Sequence, residues 1–210
     1  MVIHAIGDLA LDHAIRAIAA ANDEGPSPCA LPHRINHAMI CRPEQLEAMK
    51  KLGVVLDIQP AFVPGEIDMA TVRLGEERIS WSYPWKSFVD SGLVVTGSSD
   101  CPVEPPTPWR GIWGAMCRVG DDGKPEGGWQ PRQKLTLDEA LELWTANGAL
   151  AVGEGGRRGR IAPGFLADLA VLDRDIFKTD PMDIKDVEAL LALAGGKVTH
   201  GELLPGWEQL

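Results

Sequence analysis

Three side chains able to ligate a metal close apolar runs at equivalent places in the sequence. His4 closes the run at the amino end, His37 closes Arg34-Ile35-Asn36-His37, and Asp100 closes Leu93-Val94-Val95-Thr96-Gly97-Ser98-Ser99-Asp100. Each run reads as a short strand. In a parallel α/β sheet the loops at the carboxyl ends of the strands converge on one face, so residues far apart in sequence can meet there. Two neutral imidazoles and a carboxylate suit Zn²⁺ or a similar divalent ion. Such an ion lowers the pKa of a bound water to about 7 and polarises a carbonyl, and Asp100 would then accept the water's proton as general base. Plainer readings stand beside this one. A histidine at a strand end can simply bond to the backbone, and Asp100, two residues before Pro102, fits an Asx-type turn. Asp8, just ahead of a helical pattern, reads as an N-cap rather than a catalytic group.

Other candidates carry less. Cys101 follows Asp100 and has a nucleophile's chemistry, but no neighbouring sequence feature lowers its pKa. The glycine-rich stretches lack both the Walker Lys-Ser/Thr and G-x-G-x-x-G, so phosphate cradling has no support. Trp109, Trp113 and Trp129 lie on or beside long loops and read as core packing or as the wall of an apolar pocket. Arg157-Arg158-Gly159-Arg160 is a small basic cluster in a chain with 30 acidic and 20 basic residues, a formal net charge of −10. That balance excludes nucleic acid and anionic membrane as partners, because both would repel the chain.

The elements that must position these residues follow from periodicity. Leu9, Leu11, Ala14, Ile15 and Ile18 have helical spacing, so a helix runs from Asp8 to about Asn22. After a Gly25-Pro26-Ser27-Pro28 loop and the Arg34–His37 strand, a second helix starts at Pro43 and stops at Gly53. Val54 to Gln59 is a strand closed by Pro60. A long loop, a short helix from Pro84 to Ser91 and a strand from Leu93 to Gly97 follow. Strand and helix alternating at this pitch imply parallel βαβ units. A Pro-rich loop from Cys101 to Pro108 leads to a helix around Ile112 to Cys117. Thr136 and Glu139 form a capping box for a helix through Leu141, Leu143 and Trp144. From about Gly153 the pattern changes to a turn at Arg160–Gly164, a strand at Ala167–Leu172, and a hairpin of Glu188–Ala194 and Lys197–His200 about Gly195-Gly196. Residues 1–152 are expected to form one unit and 153–210 a small β module.

The four cysteines, Cys29, Cys41, Cys101 and Cys117, are widely spaced, as in a reduced cytosolic protein. The amino end has no basic-then-apolar signal pattern, and no window approaches 18 uninterrupted apolar residues. The expected location is the cytoplasm.

Several motifs together resemble the amidohydrolase superfamily, and within it amidohydrolase family 3. They are His4-Ala5-Ile6-Gly7-Asp8, Arg34-Ile35-Asn36-His37, Gln59-Pro60, Ser99-Asp100-Cys101-Pro102-Val103, Gly159 to Gly164 with Ala167-Asp168-Leu169, and Gly195-Gly196-Lys197-Val198. The resemblance implies a metal-dependent hydrolase of non-peptide carbon–nitrogen bonds in amide, carbamate or ureide-like substrates. It also implies a (β/α)8 TIM-like barrel with a small β-sandwich. Carried over, His4 resembles the strand-five ligand, His37 the strand-six ligand and Asp100 the strand-eight aspartate that binds metal, most often Zn, and activates water. Asn36 departs from the pattern, since the family usually has Glu before the histidine. The family's strand-one His-x-His pair and strand-four bridging residue are not in this sequence, which supplies strands for half a barrel only.

A partial barrel of strands five to eight is therefore expected, inactive alone, that self-associates or takes an N-terminal half in trans and acts on a small molecule. Two further readings are a non-catalytic self-associating remnant and a nucleobase or nucleoside deaminase of the same superfamily.

Overall fold

The computed structural model describes residues 1–25 and 31–203. The Pro26-Ser27-Pro28 part of the expected loop and the Cys29 thiol lie outside them. The first strand, β1 (Val2–Ala5), leads into helix α1 (Asp8–Asp23). Leu11, Ala14 and Ile18 recur every three or four residues, so α1 buries one stripe. Strand β2 (Arg34–His37) and helix α2 (Pro43–Leu52) have the bounds that the sequence suggests. Pro43 presets the first turn of α2, and Gly53, in the left-handed region at φ 63°, ends it. Asp8 is not an N-cap. Gly7 holds the extended cap position, and Asp8 sits in the first turn, where its carboxylate meets Arg42 at 3.2 Å.

Strand β3 (Val55–Ile58) runs into a 3₁₀ turn, Pro60–Phe62. The expected long loop after Pro60 is instead helix α3 (Val63–Ile79), kinked at Gly75, which has φ 74° and ψ 170°. Only Val63 and Ala70 of α3 are buried, so the helix shows almost no apolar period in the sequence. Helix α4 (Trp85–Asp90) and strand β4 (Val95–Gly97) complete the alternation. Helix α5 (Pro108–Cys117) starts earlier than its apolar residues suggest, because Thr107 caps it and Pro108 takes the first helical position. Helices α6 (Leu137–Trp144) and α7 (Ala146–Ala151) follow, and Thr136 and Glu139 cap α6 reciprocally as expected.

The first four strands form one parallel sheet in the order β1-β2-β3-β4. Its register sets two rows across the sheet. Ile3, Ile35, Leu56 and Val95 make one, and all but Ile3 are fully buried against the helices. One residue further on, His4, Asn36, Asp57 and Thr96 make the other, on the opposite face. Among the described residues this sheet is open, with β1 and β4 as its edges and no closed barrel. Strands β5 (Leu169–Leu172), β6 (Ala189–Ala194) and β7 (Lys197–Gly201) form a separate antiparallel sheet, whose β6–β7 hairpin turns at Gly195-Gly196, both at positive φ. A 3₁₀ segment, Pro181–Asp186, packs on α5. Its Ile184 is fully buried, and the Cys117 thiol donates to the Pro181 carbonyl at 3.4 Å.

Two close approaches fix α5 and α6 on the sheet. A Cβ on Gly97 or Gly111 would stand 2.6 or 2.4 Å from the Trp144 ring, so the indole occupies a slot between β4 and α5 that only glycine leaves open. A Cβ on Gly114 would stand 2.3 Å from the Pro60 carbonyl oxygen, so α5 touches the 3₁₀ turn backbone to backbone.

Candidate functional site

The carboxyl ends of β1 and β2 bring His4 and His37 together. Their ring centroids are 4.3 Å apart, one edge against the other's face. The register pairs His4 with Asn36 and Ala5 with His37, so neighbouring parallel strands deliver the two imidazoles at nearly the same height. His37 ends its strand with φ 78°, in the left-handed region, as does Ala38 after it at 49°. This break in the extended backbone takes His37 out of the strict side-to-side alternation of β2. His37 is 2 % exposed, whereas His4 lies open to solvent.

Burial drives the His37 imidazole toward its neutral form, and the neighbouring His4 pushes the same way. Asp100, Gln59 and Asp57 oppose them. A neutral imidazole is the form that can donate a lone pair to a metal. Asp100 itself lies three residues beyond β4, exposed and at φ 52°, in a turn closed by backbone bonds from Val103 N to the Asp100 carbonyl at 2.9 Å and from Glu104 N to the Ser99 carbonyl at 3.2 Å. Its charge reaches the His37 ring. The described residues nevertheless contain no group of three or more His, Cys, Asp or Glu side chains gathered closely enough to hold a metal ion. The imidazole pair has the donor chemistry that a divalent cation takes, a ring-nitrogen lone pair on each of two rings whose centroids lie 4.3 Å apart.

Around the pair lies a band of unsatisfied polarity that the sequence does not announce. Asn36 Oδ1, His37 Nδ1, Asp57 Oδ1 and Gln59 Oε1 are buried without hydrogen-bond partners, as is Arg34 Nε nearer the amino end of β2. A buried polar atom without a partner costs about 1–3 kcal/mol, and four of the five lie on the adjacent strands β2 and β3, with Gln59 just past the end of β3. Asp57 is held above the ordinary carboxylate range by burial, against the lowering effects of Ser98, Arg34, His37 and Thr96. Gln59 is 1 % exposed and donates from Nε2 to the Asp57 carbonyl and to Ser98 Oγ, both at 2.9 Å. Asp57 and Ser98 gave no signal in the sequence, because only the register and the turn after β4 bring them near the histidines. Arg34 and Gln59 appear there as parts of motifs and without a role.

The remaining candidates fall elsewhere. Cys101 is exposed beside Asp100. Trp113 is fully buried, while Trp109 and Trp129 pack against the core. Trp129 also lines a hollow of about 580 Å³ with Pro64, Asp121 and Lys124. Another of about 600 Å³ lies between Cys117, Lys134 and Pro181. Neither is lined by His4, His37 or Asp100, and the chemistry of the imidazole pair outweighs hollow size as the mark of the site. Arg157 and Arg158 pair with Glu154, and Arg158 also with Asp168. No helix among the described residues is long and apolar enough to cross a membrane.

Known proteins share both this sequence and this arrangement of strands. The chain is 30% identical over 200 residues to the putative amidohydrolase YtcJ of Bacillus subtilis, covering 95% of this chain and 37% of that protein. It is 30% identical over 201 residues to the N-substituted formamide deformylase of Arthrobacter pascens, covering 95% and 36%. Its structure superimposes with a TM-score of 0.73 and 32% identity on an uncharacterized metal-dependent hydrolase from Pyrococcus horikoshii OT3, covering 86% of this chain and 35% of that one. The chain thus spans about a third of the length of each of these proteins. The sequence model of the amidohydrolase family matches residues 1–200, and by that match this chain, with its parallel sheet and the small antiparallel sheet after it, is a member of the amidohydrolase family.

Proposed function

We propose that this chain supplies the second half of a metal-dependent hydrolase of non-peptide carbon–nitrogen bonds, acting on small amide, carbamate or ureide-like molecules. In this reading residues 1–152 are strands five to eight of a (β/α)8 barrel with their helices, and 153–210 are the β module. The observation that carries it is the approach of His4 and His37 to 4.3 Å at the carboxyl edge of the parallel sheet. His4 and His37 would hold a divalent ion, with zinc the best match to an imidazole pair, and Asp100 would complete the set on this chain once its turn closes over the site. When bound, the ion supplies Lewis acidity to the substrate carbonyl and acidifies a water. Asp100 would take the proton of a water held there and pass it to the leaving nitrogen, while burial favours the neutral form of His37. The ligands still lacking would come from an N-terminal half-barrel, carried by the same polypeptide, by a partner in trans or by a second copy, that meets β1 and β4, the edges of the sheet among the described residues.

The test uses the purified chain with zinc supplied. Elemental analysis is expected to find about one zinc per closed assembly, and amine release from a simple N-substituted formamide is expected only where the assembly forms. Asp100→Asn should lower that release about 10²- to 10⁴-fold while zinc stays bound, and His37→Ala should remove both. Bound zinc well below one per assembly overturns the metal reading. The absence of a three-ligand group among the described residues favours one second reading, a non-catalytic remnant that only self-associates. Hydrolysis that His37→Ala abolishes would refute it.

A further inference from the structure

We propose that Gln59 is a positioning residue for His37: its Oε1 accepts the proton on His37 Nδ1, which fixes one tautomer of the ring and leaves Nε2 with a free lone pair. The inference rests on the reading of His37 as a ligand only for its purpose; the contact itself stands on the packing.

Four observations carry it. Asn36 pairs with Asp57 in the register, so His37 is level with Ile58 and the next residue, Gln59, stands just beyond it on the adjacent strand. The Gln59 amide has its orientation fixed, because both Nε2 protons are used, one toward the Asp57 carbonyl and one toward Ser98 Oγ, each at 2.9 Å. Turning the amide over would set Oε1 against the Asp57 carbonyl oxygen, two acceptors face to face. Finally, His37 Nδ1 and Gln59 Oε1 are both buried and both without a partner, in residues that are 2 % and 1 % exposed. Gln59 also acts on the acid–base balance of the ring in the direction of an acceptor.

An orphaned amide oxygen can only accept. An imidazole nitrogen is a donor in one tautomer and an acceptor in the other. With the proton on Nε2, Nδ1 would present a lone pair to the lone pairs of Gln59 Oε1 in a place water does not reach. With the proton on Nδ1, the two orphans satisfy each other after a small closure. The ring is then locked in plane and in tautomer, as the outer partners of metal-bound histidines generally do. Ser98 extends the chain of contacts: since its oxygen accepts from Gln59, its own proton is free to donate toward Asp57.

The experiment reads the tautomer directly. In the full chain, labelled with ¹⁵N, free of metal and at pH 8, long-range proton–nitrogen spectra report which ring nitrogen of His37 is protonated, the signal being assigned by its loss in His37→Asn. The expected result is a proton on Nδ1 and a bare Nε2, and a proton on Nε2 overturns the proposal. Gln59→Glu keeps an acceptor and is expected to keep the tautomer. Gln59→Met, of similar length but without an acceptor, is expected to lose the preference and to weaken zinc binding about 10- to 100-fold. Retention of the Nδ1 proton in a folded Gln59→Met chain also overturns it. If Gln59→Met does not fold, the parent and Gln59→Glu spectra decide alone. The expected tautomer in a chain that binds no zinc would leave the positioning contact standing and remove the ligand reading, so the two fail separately.

Discussion

A glycine does as much for this site as a histidine, although only the histidine looks chemical. Gly114 lets α5 touch the Pro60 carbonyl, and Pro60 follows Gln59 directly, so a close backbone contact of α5 lies one residue from Gln59. Gly114→Ala puts a Cβ 2.3 Å from a backbone oxygen that cannot rotate away. It is expected to lower unfolding stability by about 1–3 kcal/mol, read from urea unfolding, and to shift the His37 ring signals. An unchanged midpoint would mean that α5 slides freely on the turn. The meeting of His4 and His37 could be read from the sequence, because strand ends are marked by the apolar runs before them. Their partners could not. Asn36 and Asp57 face one another only through a register that no short window encodes, and Gly97 and Gly111 owe their identity to Trp144, more than 30 residues further along the chain.

Between elements, the first two helices are tied by one guanidinium. Arg42 Nη2 reaches both Asp12 oxygens at 2.7 and 2.9 Å, its Nη1 meets Asp8, and Gln45 adds a 2.6 Å bond to Asp12. These donors hold the Asp12 carboxyl below its ordinary range, the hydrogen bond from Arg42 first and that from Gln45 second. A carboxylate whose pKa falls on folding adds stability above its unfolded value and loses it as pH drops. The parent chain should therefore lose unfolding free energy below about pH 4 more steeply than Asp12→Asn, in urea titrations from pH 6 to pH 3. Equal slopes would show the clamp to be idle. The gain is modest, about 1 kcal/mol or less, because the pair is partly exposed. At this scale the sequence reads well where one element buries a clean stripe, as in α1, or carries caps, as in α2 and α6. It fails at α3, where 17 residues bury two side chains and a glycine kink breaks the period.

For the whole molecule the governing facts are the charge of −10 and, among the described residues, a parallel sheet with β1 and β4 at its edges, the Val95 carbonyl of β4 accepting from Asn147 Nδ2 at 3.1 Å. Copies of so acidic a chain repel one another, and salt shortens that repulsion from about 10 Å at 0.1 M to about 3 Å at 1 M. If the sheet edges pair copy to copy, the mass measured by sedimentation is expected to rise between about 0.05 and 0.5 M salt. A monomer throughout would rule out pairing of copy with copy through the sheet edges. That the parallel order could be read from the alternation of strands and helices, while closure could not, has a physical cause: crossover handedness is local, but closing a barrel needs eight strands to agree on tilt and stagger.

The order β1-β2-β3-β4 has a further consequence, because its two edges are different surfaces. To continue the parallel order, copies must join head to tail, β4 of one against β1 of the next, whereas β1 on β1 or β4 on β4 about a two-fold axis would pair antiparallel. Such a chain of copies either meets its own start and closes, or grows without limit, and curvature alone selects between ring and fibre. Spoiling one end converts growth into counting. A copy with Val2→Pro on β1 can still offer β4, and a copy with Val95→Pro on β4 can still offer β1. If joining is head to tail, the two mixed in equal amounts are expected to stop at one joint, giving a dimer by sedimentation where each alone gives none; a dimer of either variant alone would show two-fold pairing of the intact edge instead.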